Sequence, residues 1–351
     1  MITTHSFTLD WINNVSRENK ADRILVEKTI RALSLLEGLS EAPITFVFKG
    51  GTAMMLMMQA AHRLSIDIDI IVPPSNSELQ PVMESIAINK GFIRYEEQLR
   101  NPATDIPKKH FRFFYFSSVE NKESYVLLDV LFEDLPYNNL LEIPITNRFL
   151  QTEGENCHVN VPDYNNLLAD KLTAFAPRTI GIPYRRNGKE CSMEIIKQLY
   201  DIGHLFDHVN DICSISETYR HIATQELTYR DADCTLADVF QDTIENALSI
   251  CFRHDYNGTE FCLLQKGIKQ LASHLFSESF QIEKASISAA KIIYLVTLVE
   301  KRLQSFEKYS SKSMSEIANW NLEQYEYTKL NKMKKTNPEA FFYLYKAINN
   351  W

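Results

Sequence analysis

The spacing of apolar positions changes character along the chain. Over 21–36 (ADRILVEKTIRALSLL) they recur at helical intervals and predict an amphipathic helix. ITFVF at 44–48 then reads as a short buried strand bounded by Pro43 and Gly50, and DIDIIV at 67–72 as another that ends at Pro73 and Pro74. Residues 111–116 and 125–132 are rich in the aromatic, β-branched and aliphatic side chains that suit a pleated surface, and helices are expected at roughly 51–60 and 78–89. Eleven of the twelve prolines precede residue 184, and only Pro338 follows, so the second half can hold long helices. Helical spacing recurs there at 238–251, 261–275 and 287–306. The expectation is an α/β chain: a mixed-sheet core over 1–160 and an α-helical domain over 161–351, without internal repeats or low-complexity tracts.

Charge narrows the classes of function. Lys and Arg number 37 against 45 Asp and Glu, a formal charge of −8, which argues against a protein held on nucleic acid by general basicity. At 45% hydrophobic and 23% charged, the composition is that of an ordinary folded soluble protein. The longest run without Asp, Glu, Lys or Arg is thirteen residues, 50–62, against the roughly twenty apolar residues of a membrane-spanning helix. The first twenty residues lack a basic start followed by an apolar run, so no secretory signal is read and the cytoplasm is the expected location. Six cysteines without a CxxC pair are expected to be reduced thiols, mostly buried.

Three carboxylates and a glycine turn carry the chemistry. Gly50 and Gly51 are the only adjacent glycines and stand between a predicted strand and a predicted helix that opens with Thr52. Such a turn is either a tight corner or a cradle, because glycine lets a backbone approach a bulky anion and free amides at a helix start attract phosphate. Asp67 and Asp69 follow on a strand, where residues i and i+2 share one face. Carboxylates side by side raise each other's pKa unless a cation lies between them, so the pair is either solvated or a divalent-metal site. Asp129 interrupts the apolar run 125–132, where a strand disfavours it and an uncompensated buried charge is costly; a shared Mg²⁺ would compensate it. Glycine turn, paired aspartates and a third strand aspartate together meet the needs of metal-assisted phosphoryl transfer.

In this arrangement the chain resembles the nucleotidyltransferase superfamily. More narrowly, KGGTAM at 49–54 with RLSIDID at 63–69 is similar to the AbiEii/AbiGii toxin family, which usually shows KGGTAL and then RxSxDID; Met54 is the one departure. Two later motifs also match: NLLADKL at 166–172, with Lys171, and QLYD at 198–201, with Asp201, where glutamine replaces the family's leading acid. The resemblance spans 49–201. It implies a nucleotidyltransferase-like fold and an enzyme that moves a nucleoside monophosphate from an NTP to an acceptor, with the 3′ end of tRNA favoured. It also implies a toxin of a toxin–antitoxin or phage-defence pair, partnered by an AbiEi-like antitoxin. In that reading Asp67, Asp69 and Asp129 hold Mg²⁺, or Mn²⁺ in its place. Gly50, Gly51, Thr52, Ser65 and Lys171 bind the nucleotide, and Lys171 and Asp201 join the catalytic set.

The residues themselves leave alternatives open. Lys171 shares a helical stripe with Leu168 and Phe175, so it either meets a partner such as a triphosphate or snorkels past Leu168. Asp201 is equally placed for an i, i+4 pair with Lys197. Arg63 and Ser65 either brace the carboxylate loop or touch phosphate. His204 and His208 stand four apart but lack the Glu of HExxH, and 181–189 (GIPYRRNGK) departs from a P-loop in its spacing and its interrupting Pro183. Two segments, 90–112 and 165–200, each hold six Lys or Arg against three acids and are either solvated loops or the border of an RNA site. Two rivals stand beside the tRNA reading: a small-molecule (aminoglycoside-like) nucleotidyltransferase, and a nucleotide-binding regulator without turnover.

Overall fold

The computed structural model describes residues 1–58, 62–75, 79–98, 107–230 and 233–351. Arg100 of the first basic segment and the outer ends of the helices expected at 51–60 and 78–89 lie outside the described residues. The chain divides into two units, Met1–Asp163 with Ser273–Ser279, and Tyr164–Ala272 with Phe280–Trp351.

In the first unit, helices α1 (Leu9–Asn19) and α2 (Arg23–Glu41) precede strand β1 (Val47–Lys49), helix α3 (Gly50–Met57), strand β2 (Asp67–Val72) and helix α4 (Gln80–Asn89). Strands β3 (Arg94–Glu97), β4 (Lys108–Ser117) and β5 (Lys122–Phe132) follow, and then the hairpin β6 (Leu140–Pro144) and β7 (His158–Pro162). The main sheet runs β1-β2-β5-β4-β3, with β2 parallel to β5 and every other pair antiparallel. The expected strands 67–72, 111–116 and 125–132 lie within β2, β4 and β5, the last two of which run further, whereas the strand expected at 44–48 meets β1 only at residues 47 and 48. Helix α1, strand β3 and the β6–β7 hairpin are additions to the predicted elements.

Side-chain alternation gives the sheet two unlike faces. Phe48, Ile68, Ile70, Val72, Phe111, Phe113, Val126, Leu128 and Val130 enter one core with Val26, Ile30, Leu33 and Leu36 of α2. Among the polar residues buried with them is Glu27 of α2, which accepts from Ser117 Oγ at 2.5 Å and Ser118 N at 2.7 Å and so pins the β4–β5 turn. The other face carries Asp67, Asp69 and Asp129, all half-buried. Segment 273–279 completes this unit: Leu64 N donates to His274 O at 2.8 Å and Phe276 N to His62 O at 2.9 Å, while the Phe276 ring meets Phe149 edge-on. The stretch that leads into Asp67 is thereby fixed at its back.

The second unit holds α5 (Tyr164–Thr173), a two-stranded hairpin of β8 (Arg185–Arg186) and β9 (Lys189–Glu190), and helices α6 (Ser192–Leu205), α7 (Ile212–Tyr229), α8 (Leu236–Phe252), α9 (His254–Leu271) and α10 (Ile282–Lys301). Helix α10 is buried on nearly every side, as befits a helix at the centre of a bundle. Its Ser286 and Thr297 hydroxyls are satisfied by carbonyls one turn back, and Lys291 pairs with Asp207 at 2.8 Å. All six cysteines are free, yet only Cys251 is buried, its thiol pushed up to about 12 by desolvation, whereas Cys213 and Cys262 are exposed. The expectation of mostly buried thiols is therefore corrected: Cys157, Cys191 and Cys234 are partly exposed, and Cys213 and Cys262 more so. Among the described residues no helix is long and apolar enough to cross a membrane.

Lys171 on α5 and Asp201 on α6 form a buried ion pair, Nζ to Oδ2 2.9 Å, with 8% and 1% of their side chains exposed. Removing one partner of such a pair leaves a desolvated charge, whereas replacing both by apolar groups does not. Lys171→Ala is accordingly expected to destabilise the protein by about 3–5 kcal/mol. The double variant Lys171→Met with Asp201→Leu should recover most of that loss. Urea midpoints of the three proteins check this, and a single variant as stable as the double one would contradict it.

Candidate active site

The register of the sheet assembles one polar row. Lys49 of β1 lies opposite Asp69 of β2, Asp69 lies beside Asp129 of β5, and Asp129 lies opposite His110 of β4. Directly paired residues on neighbouring strands point to the same face, so these four side chains form a line across the sheet, with Asp67 two positions from Asp69 on the same face. His110 Nδ1 and Asp129 Oδ1 are 2.7 Å apart. Carboxylate oxygens accept, so in this contact the ring nitrogen donates. Asp129 is thus not an apolar-strand misfit: its side chain is 38% exposed and lies on the open face.

The glycine pair is shaped by what lies above it. Gly50 has φ +83°, a conformation that favours glycine, and a Cβ there would overlap Asp69 Oδ2 and lie 3.0 Å from Asp69 Cγ. A Cβ on Gly51 would overlap the Arg63 guanidinium and come within 2.8 Å of Ser65 Oγ. Thr52 is buried and donates its hydroxyl to Asp67 O at 2.6 Å, while Thr29 Oγ1 of α2 donates to Ser65 O at 3.2 Å. Arg63 is itself buried and donates to Leu64 O at 3.2 Å. The turn therefore brings the start of α3, whose first amides lack helical acceptors, against the paired aspartates. Hard oxygen donors grouped on one sheet face are the donor set that a divalent cation such as Mg²⁺ takes, so these residues fit the metal that the motif implies.

Gly50, Gly51, Thr52, Ser65, Asp67, Asp69 and Asp129 thus come together in the first unit, while Lys171 and Asp201 belong to the second and pair with each other. His204 packs on Tyr200 and His208 stacks on Tyr164. Segment 181–189 forms no phosphate loop: Asn187 and Gly188, both at positive φ, turn the β8–β9 hairpin. The loop before that hairpin is anchored by buried Asp242, which accepts from Arg178 N, Thr179 N and Thr179 Oγ1 at 2.8–2.9 Å, and by Tyr184 donating to Asn246 at 2.7 Å. At the hairpin Arg185, Arg186 and Lys189 are exposed, and Glu190 is engaged by Lys266. Sequence reasoning missed His110 and the place of Lys49 in the row. The alternation of β4 around Phe111 and Phe113 puts His110 on the polar face, but its partner becomes visible only with the strand register.

Over residues 34–265 the sequence matches the family described as nucleotidyl transferase AbiEii toxin, type IV TA system. A comparison with curated proteins gives no significant match. Among solved structures, the fold is similar to JHP933 from Helicobacter pylori, at 12% identity over 81% of this chain and 94% of that one, with a TM-score of 0.46. It is likewise similar to the MenT4 nucleotidyltransferase toxin of Mycobacterium tuberculosis H37Rv, at 13% identity over 82% and 98% of the two chains and a TM-score of 0.46. With the family match covering well over half of the sequence, and its glycine-turn and paired-aspartate motifs brought together at one face of a mixed sheet, the chain belongs to the AbiEii family of nucleotidyltransferase toxins of type IV toxin–antitoxin systems.

Proposed function

We propose that this enzyme uses Mg²⁺ to transfer a nucleoside monophosphate from an NTP to the 3′ end of a tRNA, and that an AbiEi-like antitoxin restrains it. The observation that carries the reading is the register of Asp69 beside Asp129, with Gly50 lying under the Asp69 carboxylate. Asp67, Asp69 and Asp129 would hold the cation, which when bound supplies charge neutralisation at the reacting phosphorus. The amides of Gly50, Gly51 and Thr52 would bind phosphate oxygens, with Ser65 beside them as a further donor. Lys171 would serve as a point charge for the triphosphate, and Asp201 would hold its ammonium in place. A carboxylate of the row that accepts the acceptor's hydroxyl proton would complete the chemistry.

A polyanionic acceptor is supported by the hairpin tip. Arg185, Arg186 and Lys189 flank a two-residue turn, the loop before it is anchored by Asp242 and Asn246, and the adjacent acid, Glu190, is shared between Arg185 and Lys266. Such a tip gives positive charge with little ordering cost, which suits a phosphate backbone despite the net charge of −8.

The direct test is incubation with total cellular RNA, Mg²⁺ and each α-labelled nucleoside triphosphate in turn. Label in a tRNA-sized band is the expected result. Label only on an added small molecule such as an aminoglycoside, or nucleotide binding without transfer, would replace this reading by one of its rivals. Asp67→Ala, Asp69→Ala and Asp129→Asn are each expected to lower transfer at least about 100-fold, the scale seen when a preorganised charge-stabilising group is removed, with little change in melting temperature. Near-normal turnover by Asp69→Ala would remove the row from the chemistry. Replacing Arg185, Arg186 and Lys189 together by Ala should raise KM for RNA and leave kcat at saturating RNA unchanged. The slope of log affinity against log salt should fall by about one for each RNA phosphate that the side chains no longer neutralise. An unaltered salt slope would take the hairpin out of the acceptor site.

A further inference from the structure

His110 stands outside the motif residues, yet it makes a close polar contact with one of the row's carboxylates. It lies directly across the antiparallel β4–β5 pair from Asp129, and its Nδ1 reaches Asp129 Oδ1 at 2.7 Å. Its backbone is held on the opposite edge by Gln98 N donating to His110 O at 2.7 Å, and the next residue, Phe111, is sunk in the sheet core. The imidazole is mostly covered, with 15% of its side chain exposed against 38% for Asp129. A covered donor on a fixed backbone thus meets a more open acceptor on the polar face.

That geometry has a consequence for the carboxylate. Torsion about the Cβ–Cγ bond of an aspartate is soft and nearly two-fold, so an unrestrained Asp129 presents either oxygen, in a broad range of planes. A hydrogen bond from Nδ1 engages Oδ1, fixes the carboxylate plane and leaves Oδ2 as the oxygen for another ligand. Outer partners of this kind orient ligating carboxylates and tune their affinity for metal.

We propose that His110 is a positioning residue for the transfer reaction, holding Asp129 so that a single defined oxygen faces the cation and the acceptor hydroxyl. This rests on the reading of Asp129 as a metal-holding carboxylate, and the test separates the two.

The probe is Mn²⁺ alone, titrated into the full-length protein and followed by electron paramagnetic resonance, without nucleotide or RNA. His110→Ala, His110→Asn, His110→Gln and Asp129→Asn are compared with wild type, and melting temperatures are measured in parallel. His110→Ala is expected to weaken Mn²⁺ binding about 10- to 100-fold, the range for loss of an outer partner of a metal ligand. His110→Asn, whose side-chain amide stands where Nδ1 stood, should restore most of the affinity and of kcat. His110→Gln, with its amide one bond further out, should not. Wild-type Mn²⁺ affinity in His110→Ala alongside lost affinity in Asp129→Asn would overturn the role of His110 and leave the metal reading intact. Wild-type affinity in Asp129→Asn would overturn both. If Asn restored melting temperature but not Mn²⁺ affinity, His110 would be a structural partner only, and the proposal would fail.

Discussion

The site depends on one close approach, that of the Asp69 carboxylate to the bare Cα of Gly50. Strand β1 must turn into α3 within a single residue, and the φ of +83° at Gly50 makes that turn possible. The same absence of a side chain lets Asp69 lie against the start of the helix. Asp69 is in turn the residue that the parallel β2–β5 pairing sets beside Asp129. Helix amides, paired aspartates and the third carboxylate are therefore joined through one approach, and Arg63 and Ser65 repeat the arrangement over Gly51. Thr52 closes the loop by donating to the backbone of Asp67.

Around this point packing and hydrogen bonds hold the elements that carry the site. The core face of the sheet is apolar and packed on α2, so the polar row cannot slip by one residue without burying its carboxylates. Segment 273–279, far along the chain, returns to hydrogen-bond with residues 62 and 64 and fixes the entry to β2. In the helical unit, the Lys171 ammonium is held by Asp201 at the cost of desolvating both groups. Ordinary packing would have used apolar residues at these two positions.

Much of this was legible from residue pattern, and the rest failed for physical reasons. Strand β2 and the 125–132 stretch of β5 are apolar runs broken only by aspartates, so both their existence and the oddity of Asp129 stood out. Helix α10 is apolar enough all round to be recognised, though its start at Ile282 lay five residues earlier than the pattern suggested. Strand β3 (RYEE) is short, mostly exposed and without an apolar alternation, and the β6–β7 hairpin is joined by a long connection, so neither gave a local signal. The pairing of Lys171 with Asp201 and of His110 with Asp129 joins residues 30 and 19 apart. Helix packing creates the first and strand register the second. Lys171, Asp201 and Asp129 each stood out in sequence, but neither pairing did, and His110 gave no signal of its own.

The most direct measurement is single-turnover transfer of α-labelled nucleotide by Gly50→Ala, with its melting temperature. The added methyl group meets the end of the Asp69 side chain, which can rotate away, so the fold should survive with a loss of about 1–2 kcal/mol for the positive φ. Transfer should nevertheless be lost, because Asp69 can no longer stand beside Asp129 at the helix start. A Gly50→Ala protein that transfers nucleotide at the wild-type rate would contradict the account.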